Sequence, residues 1–201
     1  MSTRIDIKST AVSRSTATLM KTNQTISYRT GDDGDIEAGR DISFFILDEN
    51  NPFGNTDRFT DELGTQTYTN NIVIDWSTYN GTNVLGYRRT VSGLAVPWDN
   101  AIDGALAVSI GSFTTGWRLT NIRELMNIMN YEGGADYTRR LNYSPFNITE
   151  FELWTSTTLY GASTIAYYFT NAGTSFIYTG KAASVKYIPC RTFTVTGTTL
   201  T

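Results

Sequence analysis

Several groups of residues in this chain have types and spacings that could do chemistry. Asp32, Asp33 and Asp35 sit on a bend opened by Gly31 and interrupted by Gly34. Carboxylates clustered on a glycine-rich turn offer the hard oxygen ligands that calcium takes, although the spacing departs from the EF-hand loop and a solvated turn is the alternative. Tyr79, Tyr87, Tyr131, Tyr137, Tyr143 and Tyr160 all stand near predicted loops with Asn, Gly, Thr or Arg neighbours. Tyrosine brings contact area and such neighbours bring hydrogen bonds, a pairing typical of adaptable binding surfaces. Arg139 and Arg140, beside Tyr137 and Tyr143, suit an acidic glycan. The same residues could equally bury against a neighbouring subunit. Trp117 and Trp154 offer flat faces to pyranose rings, with burial as the competing expectation. Arg118, Glu124 and Arg191 could form a polar ligand cluster or serve the scaffold, the arginines pairing with carboxylates or strand-end carbonyls. Asp57 and Asp61 are a carboxylate pair of the kind glycosidases use, but no motif accompanies them.

Other chemistries are closed by composition. The 201 residues include no histidine, so no imidazole can act as base in a Ser-His-Asp or Cys-His arrangement or ligate zinc. One cysteine, Cys190, can form neither an intrachain disulfide nor a thiolate metal site, and the expectation for it is a small buried hydrophobe. No glycine-rich phosphate loop is present. These exclusions predict a non-enzymatic protein without a cofactor. A net charge of -3 lacks the basic footprint of a nucleic-acid binder. No apolar run approaches membrane-spanning length, so no membrane insertion is expected.

The elements that must position these groups are mostly strands. Abundant Thr, 12 Tyr and 10 Phe favour extended structure. Strands are predicted at Asp41 to Leu47, Thr65 to Thr69, Ile72 to Ile74 leading into Trp76, Phe151 to Ser156, Ala166 to Thr170, Ser175 to Tyr178 and Tyr187 to Phe193. Asn171 to Thr174 is the predicted hairpin turn. Pro189 in the last strand is expected at an edge or bulge. Residues 77–96 read as a loop or irregular hairpin. Pro97 can open a helix with Trp98, Ile102, Ala105 and Leu106 on one side, weakened by Gly104. A second helix is predicted over about 122–131, closed by Gly133 and Gly134. Asn121 and Glu124 have the spacing of a capping box, and Ile122, Leu125, Met126 and Met129 share one face. The expected fold class is therefore α+β and β-rich, with two short helices on a twisted antiparallel sheet. Residues 1–21 read as an N-terminal arm, 22–193 as one domain and 194–201 as a polar tail.

The ordered set Gly116-Trp117-Arg118-Leu119-Thr120-Asn121-Ile122-Arg123-Glu124-Leu125, Leu153-Trp154-Thr155-Ser156-Thr157-Thr158 and Tyr187-Ile188-Pro189-Cys190-Arg191 resembles the Lcl C-terminal domain family, catalogued as a domain of unknown function. Earlier segments keep the family order: Thr22 to Tyr28, Gly31 to Ile36, Arg58-Phe59-Thr60-Asp61, Gly64 to Thr69, Val73-Ile74-Asp75-Trp76 and Pro97-Trp98-Asp99-Asn100-Ala101-Ile102. Thr120 stands where the family has Pro and Asp75 where it has Met, and the Gly before Trp76 is missing. The resemblance implies a C-type-lectin-like fold whose framework holds Trp76, Trp98, Trp117, Arg118, Leu119, Asn121, Glu124, Leu125, Trp154 and Arg191. Relatives include a trimeric bacterial adhesin domain that binds sulfated polysaccharides, which implies a homotrimer; an acidic chain fits that ligand poorly.

Many relatives stand on bacterial surfaces behind a secretory signal, whereas residues 1–8 show no apolar signal core. The expectation that follows is a bacteriophage virion protein, assembled in the host cytoplasm and released by lysis, as a capsid decoration, head fibre or tail-associated structural protein. Its expected partners are other virion proteins and host cell-surface glycan, through carbohydrate binding and host attachment. The rival expectations are a cement protein without ligand and a bacterial surface adhesin domain.

Overall fold

The computed structural model describes residues 57–129, 141, 144–146, 148–149, 152–170 and 175–201. The predicted arm, the Asp41 to Leu47 strand and the Asn171 to Thr174 turn lie outside them. In chain order the strands are β1 (Phe59–Thr60), β2 (Ile72–Asp75), β3 (Asn83–Arg88), β4 (Trp117–Leu119), β5 (Glu152–Thr158), β6 (Ile165–Thr170), β7 (Ser175–Gly180), β8 (Lys186–Tyr187), β9 (Pro189–Thr196) and β10 (Thr199–Leu200). Among the described residues the α-helices are α1 (Trp98–Leu106) and α2 (Ile122–Asn127). The fold is α+β and β-rich. One sheet runs β1-β2-β3-β9-β10, with β4 also laid on β9, and the other runs β7-β6-β5-β8. Every pairing is antiparallel except β5 with β8.

Burial on both faces explains the first sheet. All of Ile72–Asp75 is buried, with Val73 in one apolar cluster and Ile72 and Ile74 in another. A strand covered on both sides needs a continuous apolar run rather than alternation, and β2 supplies one up to Asp75. β9 divides likewise: Cys190 faces the cluster of Val73, Leu125 and Phe146, while Phe193 faces that of Trp76 and Trp117. A third cluster, of Ala101, Ala105, Leu119, Trp154 and Tyr187, packs α1 against residues of both sheets. The chain passes between the sheets at Ile188, which is fully buried.

Several predicted elements differ. Thr65 to Thr69 is turn, not strand, because the Asp61 carboxylate gathers its backbone and hydroxyl donors. Residues 83–88, read as loop, form β3 between β2 and β9. Pro97 caps α1 from outside, and the buried side of that helix is Ala101 and Ala105, with Leu106 exposed. α2 stops at Asn127; Ile128 joins Leu125 and Met129 in the core while Met126 faces out. Burial in β5 does not alternate, since Leu153, Trp154 and Thr155 are all inside. Pro189 opens β9, where its missing N–H is harmless. The polar tail folds back instead: β9 continues to Thr196, β10 pairs with it, and Leu200 enters the core. Two antiparallel neighbours thus replace a free end.

Candidate functional site

The framework tryptophans come together with their indole N–H groups satisfied inside the fold. Trp76, Trp117 and Trp154 are buried, and their indole N–H groups donate to Thr60 Oγ1 (2.8 Å), Phe113 O (2.9 Å) and Val96 O (2.9 Å). Trp98 is half-buried, donates to Thr155 O at 2.8 Å, and carries the Lys181 ammonium 3.8 Å above its ring. Indoles hidden in this way are not open to stack a sugar. Asn121 caps α2 by accepting from Glu124 N at 2.9 Å, and Glu124 accepts from Asn121 N at 2.8 Å, which completes the capping box. Arg118 grips Glu124 with both terminal nitrogens, one at 2.7 Å. Leu119 and Leu125 are buried beside them.

This cluster is electrostatically closed. Burial alone raises the Glu124 carboxyl, but the Arg118 guanidinium, the Asn121 N–H and the Cys190 thiol outweigh it and hold the carboxyl below its ordinary value. The buried Cys190 thiol is pushed well up by desolvation and by the neighbouring Glu124 charge, so it stays protonated and inert. Arg191 departs from expectation: it lies over the rings of Phe113 (5.0 Å) and Phe193 (4.8 Å) rather than on a carboxylate or carbonyl. Phe193, two residues along β9, and Phe113, in the hairpin before β4, present aromatic faces there.

The tyrosines divide. Tyr87 is not a surface residue, since β3 turns it inward to 0% exposure. Its hydroxyl donates to Glu124 O at 3.0 Å and its ring meets Phe146 edge-on. Tyr79 is half-buried, edge-on to Trp76 at 5.8 Å. Tyr160 stands fully exposed at 101%, at the tip of the turn closed by Ala162 N to Leu159 O. Tyr131, Tyr137, Arg139, Arg140 and Tyr143 lie outside the described residues, as do Asp32, Asp33 and Asp35. Among the described residues no three His, Cys, Asp or Glu side chains gather as a metal site would require.

Asp61 builds a feature that sequence reasoning missed. Its carboxylate accepts from Leu63 N (3.1 Å), Thr65 N (2.8 Å), Thr65 Oγ1 (2.6 Å), Thr67 Oγ1 (2.8 Å) and Tyr68 N (3.2 Å). Burial raises this carboxyl, but these donors prevail and keep it below its ordinary value. The Asp61 oxygens are thus committed to donors of their own loop. The loop it organises ends in Tyr68 and Asn71 at φ of 53° and 61°. Asn tolerates that left-handed backbone, whereas a bulky Tyr does so at a cost of about 1–3 kcal/mol. The Tyr68 hydroxyl bond to Phe59 O (3.0 Å) and the Arg89 N bond to Asn71 O (2.7 Å) hold the turn in place.

This turn forms one wall of an open cleft of about 420 Å³. Thr69, Asn70 and Asn71 line that wall, Val108 to Gly111 line the other, and Arg88 reaches in from the end of β3. The second wall is a tight hairpin closed by reciprocal Ile110 and Phe113 backbone bonds, with Gly111 taking the left-handed φ of 57°. The Glu62 carboxylate, 8% exposed, accepts from the Asn70 amide. The run of turn formers Thr69-Asn70-Asn71 was the available signal. Nothing in sequence spacing could bring residue 110 to it. No family model matches the chain, and no curated protein matches it by sequence.

Proposed function

We propose that this chain is a non-enzymatic surface protein of a phage particle, with a C-type-lectin-like domain of the Lcl C-terminal kind that serves assembly and host-glycan attachment. One observation carries the reading: a framework with every indole N–H satisfied internally holds turns whose Thr69, Asn70, Asn71, Ser112 and Tyr160 face outward. Recognition that must vary while the fold stays fixed is placed on such loops. The N-terminal arm would join other virion proteins, and the domain would assemble as a trimer. Mass spectrometry of purified particles, with whole-cell binding by the isolated protein, tests this. Presence in the particle and binding abolished by stripping cell-surface polysaccharide are the expected results; absence from particles overturns it.

Exposed apolar side chains favour a second reading, a cement protein without ligand. Leu94 is 78% and Leu63 66% exposed, and Tyr178 on the outermost strand β7 is 58% exposed. Apolar surface of this kind gains by burial between subunits. In that case cells would not bind the protein, and particles lacking it would lose resistance to heat.

A further inference from the structure

We propose that the cleft between the 68–71 turn and the 108–111 hairpin is the saccharide subsite, and that it takes a sugar unit bearing a carboxylate. The inference rests on the glycan-attachment reading and names its ligand class. Arg88 is half-buried at the cleft, and its guanidinium makes no hydrogen bond or ion pair among the described residues. A guanidinium left without a carboxylate is suited to receive one in a two-pronged grip. Around it stand the amides of Asn70 and Asn71 and the hydroxyls of Thr69 and Ser109, donors and acceptors of the kind ring hydroxyls need. Val108 and Ile110 add a small apolar patch for a pyranose C–H face. The volume suits one or two sugar units.

The site is also held ready. The Asp61 network, the left-handed Tyr68 and Asn71 and the Arg89 to Asn71 bond fix one wall. The Ile110–Phe113 bridge fixes the other. A rigid wall spares the ordering cost that weak sugar binding rarely covers.

Amide NMR titration of the full chain with glucuronate, glucose and acetate tests the proposal. Glucuronate should move the signals of Asn70, Asn71, Ser109 and Gly111, with glucose weaker and acetate without effect at equal concentration. Arg88→Gln should weaken glucuronate binding about tenfold and erase its advantage over glucose. Ser109→Tyr, at an exposed position that narrows the mouth, should block both sugars; thermal melts check the fold of each variant. Undiminished glucuronate binding in both variants, or acetate acting as well as glucuronate, overturns the assignment. Sugar-induced shifts confined to another surface, such as the Tyr160 turn, overturn the cleft and leave the glycan reading standing. If no sugar shifts any signal and the protein also fails to bind cells, both readings fall.

Discussion

Asp75 shows how far a single residue can depart from its setting and still be required. It occupies a fully buried strand end, where the Arg58 guanidinium meets it at 2.9 and 2.8 Å and Asn127 and Ser77 satisfy its remaining lone pairs. Asp75→Ala would break the buried Arg58–Asp75 pair from one side, and removing one partner of such a pair costs about 3–5 kcal/mol; urea unfolding of the variant measures it. Asp61 and Glu124 contribute to stability against acid. Both carboxyls are held below their ordinary values in the folded state, so below pH about 4 the unfolded chain binds more protons and stability falls with acid. Their contribution is present above the unfolded pKa and lost as pH falls through the folded one. Asp61→Asn and Glu124→Gln should each flatten the acid limb of a stability-against-pH curve, and an unchanged slope would refute the assignment. At the alkaline end, desolvation raises Cys190, so native protein should resist thiol reagents until it unfolds.

Among the elements, α1 carries a test in which packing opposes propensity. Gly104 sits mid-helix, where Ala would ordinarily gain about 1 kcal/mol. A Cβ there would overlap the Tyr187 hydroxyl and stand 3.0 Å from its ring carbon. Gly104→Ala should therefore destabilise, by about 1–3 kcal/mol, and Tyr187→Phe should relieve part of the loss in the double variant. Simple additivity in thermal unfolding would show that Tyr187 moves aside freely. The apparent weakness of that glycine in the sequence is a requirement of its neighbour. α2 was legible because its signals are local: Asn121 and Glu124 bond each other, and the helix needs nothing distant to start. Its face was less legible, since Met126 and Ile128 exchange roles according to what packs against them.

At the scale of the whole molecule, β9 links distant parts of the chain. It pairs with β3, β4 and β10, so residues from 83 to 200 depend on it. The last strand closes a core cluster through Leu200. Removing residues 197–201 should cost about 1.5–3 kcal/mol, the worth of one buried Leu, and a truncation with unchanged unfolding midpoint would mean that β10 is ornamental. In sequence Leu200 reads as tail, because a single Leu among threonines has no periodicity of its own.

The chain alone determined what depends on local contacts and on residue inventory. The missing imidazole bars its chemistries, the capping box starts its helix, and the aromatic and threonine content makes strands. Trp117 and Trp154 were also readable as interior, being large and close to Leu119 and Leu153 in the chain. Tertiary structure decided what depends on distant partners. Tyr87 looks like a loop tyrosine until β2 and β9 enclose its strand, and Arg88, its neighbour, is turned to a cleft whose far wall, at residues 108–111, is distant in the chain. Neighbouring residues in a strand face opposite sides, so which of the two meets solvent is settled only by the surfaces that close over each.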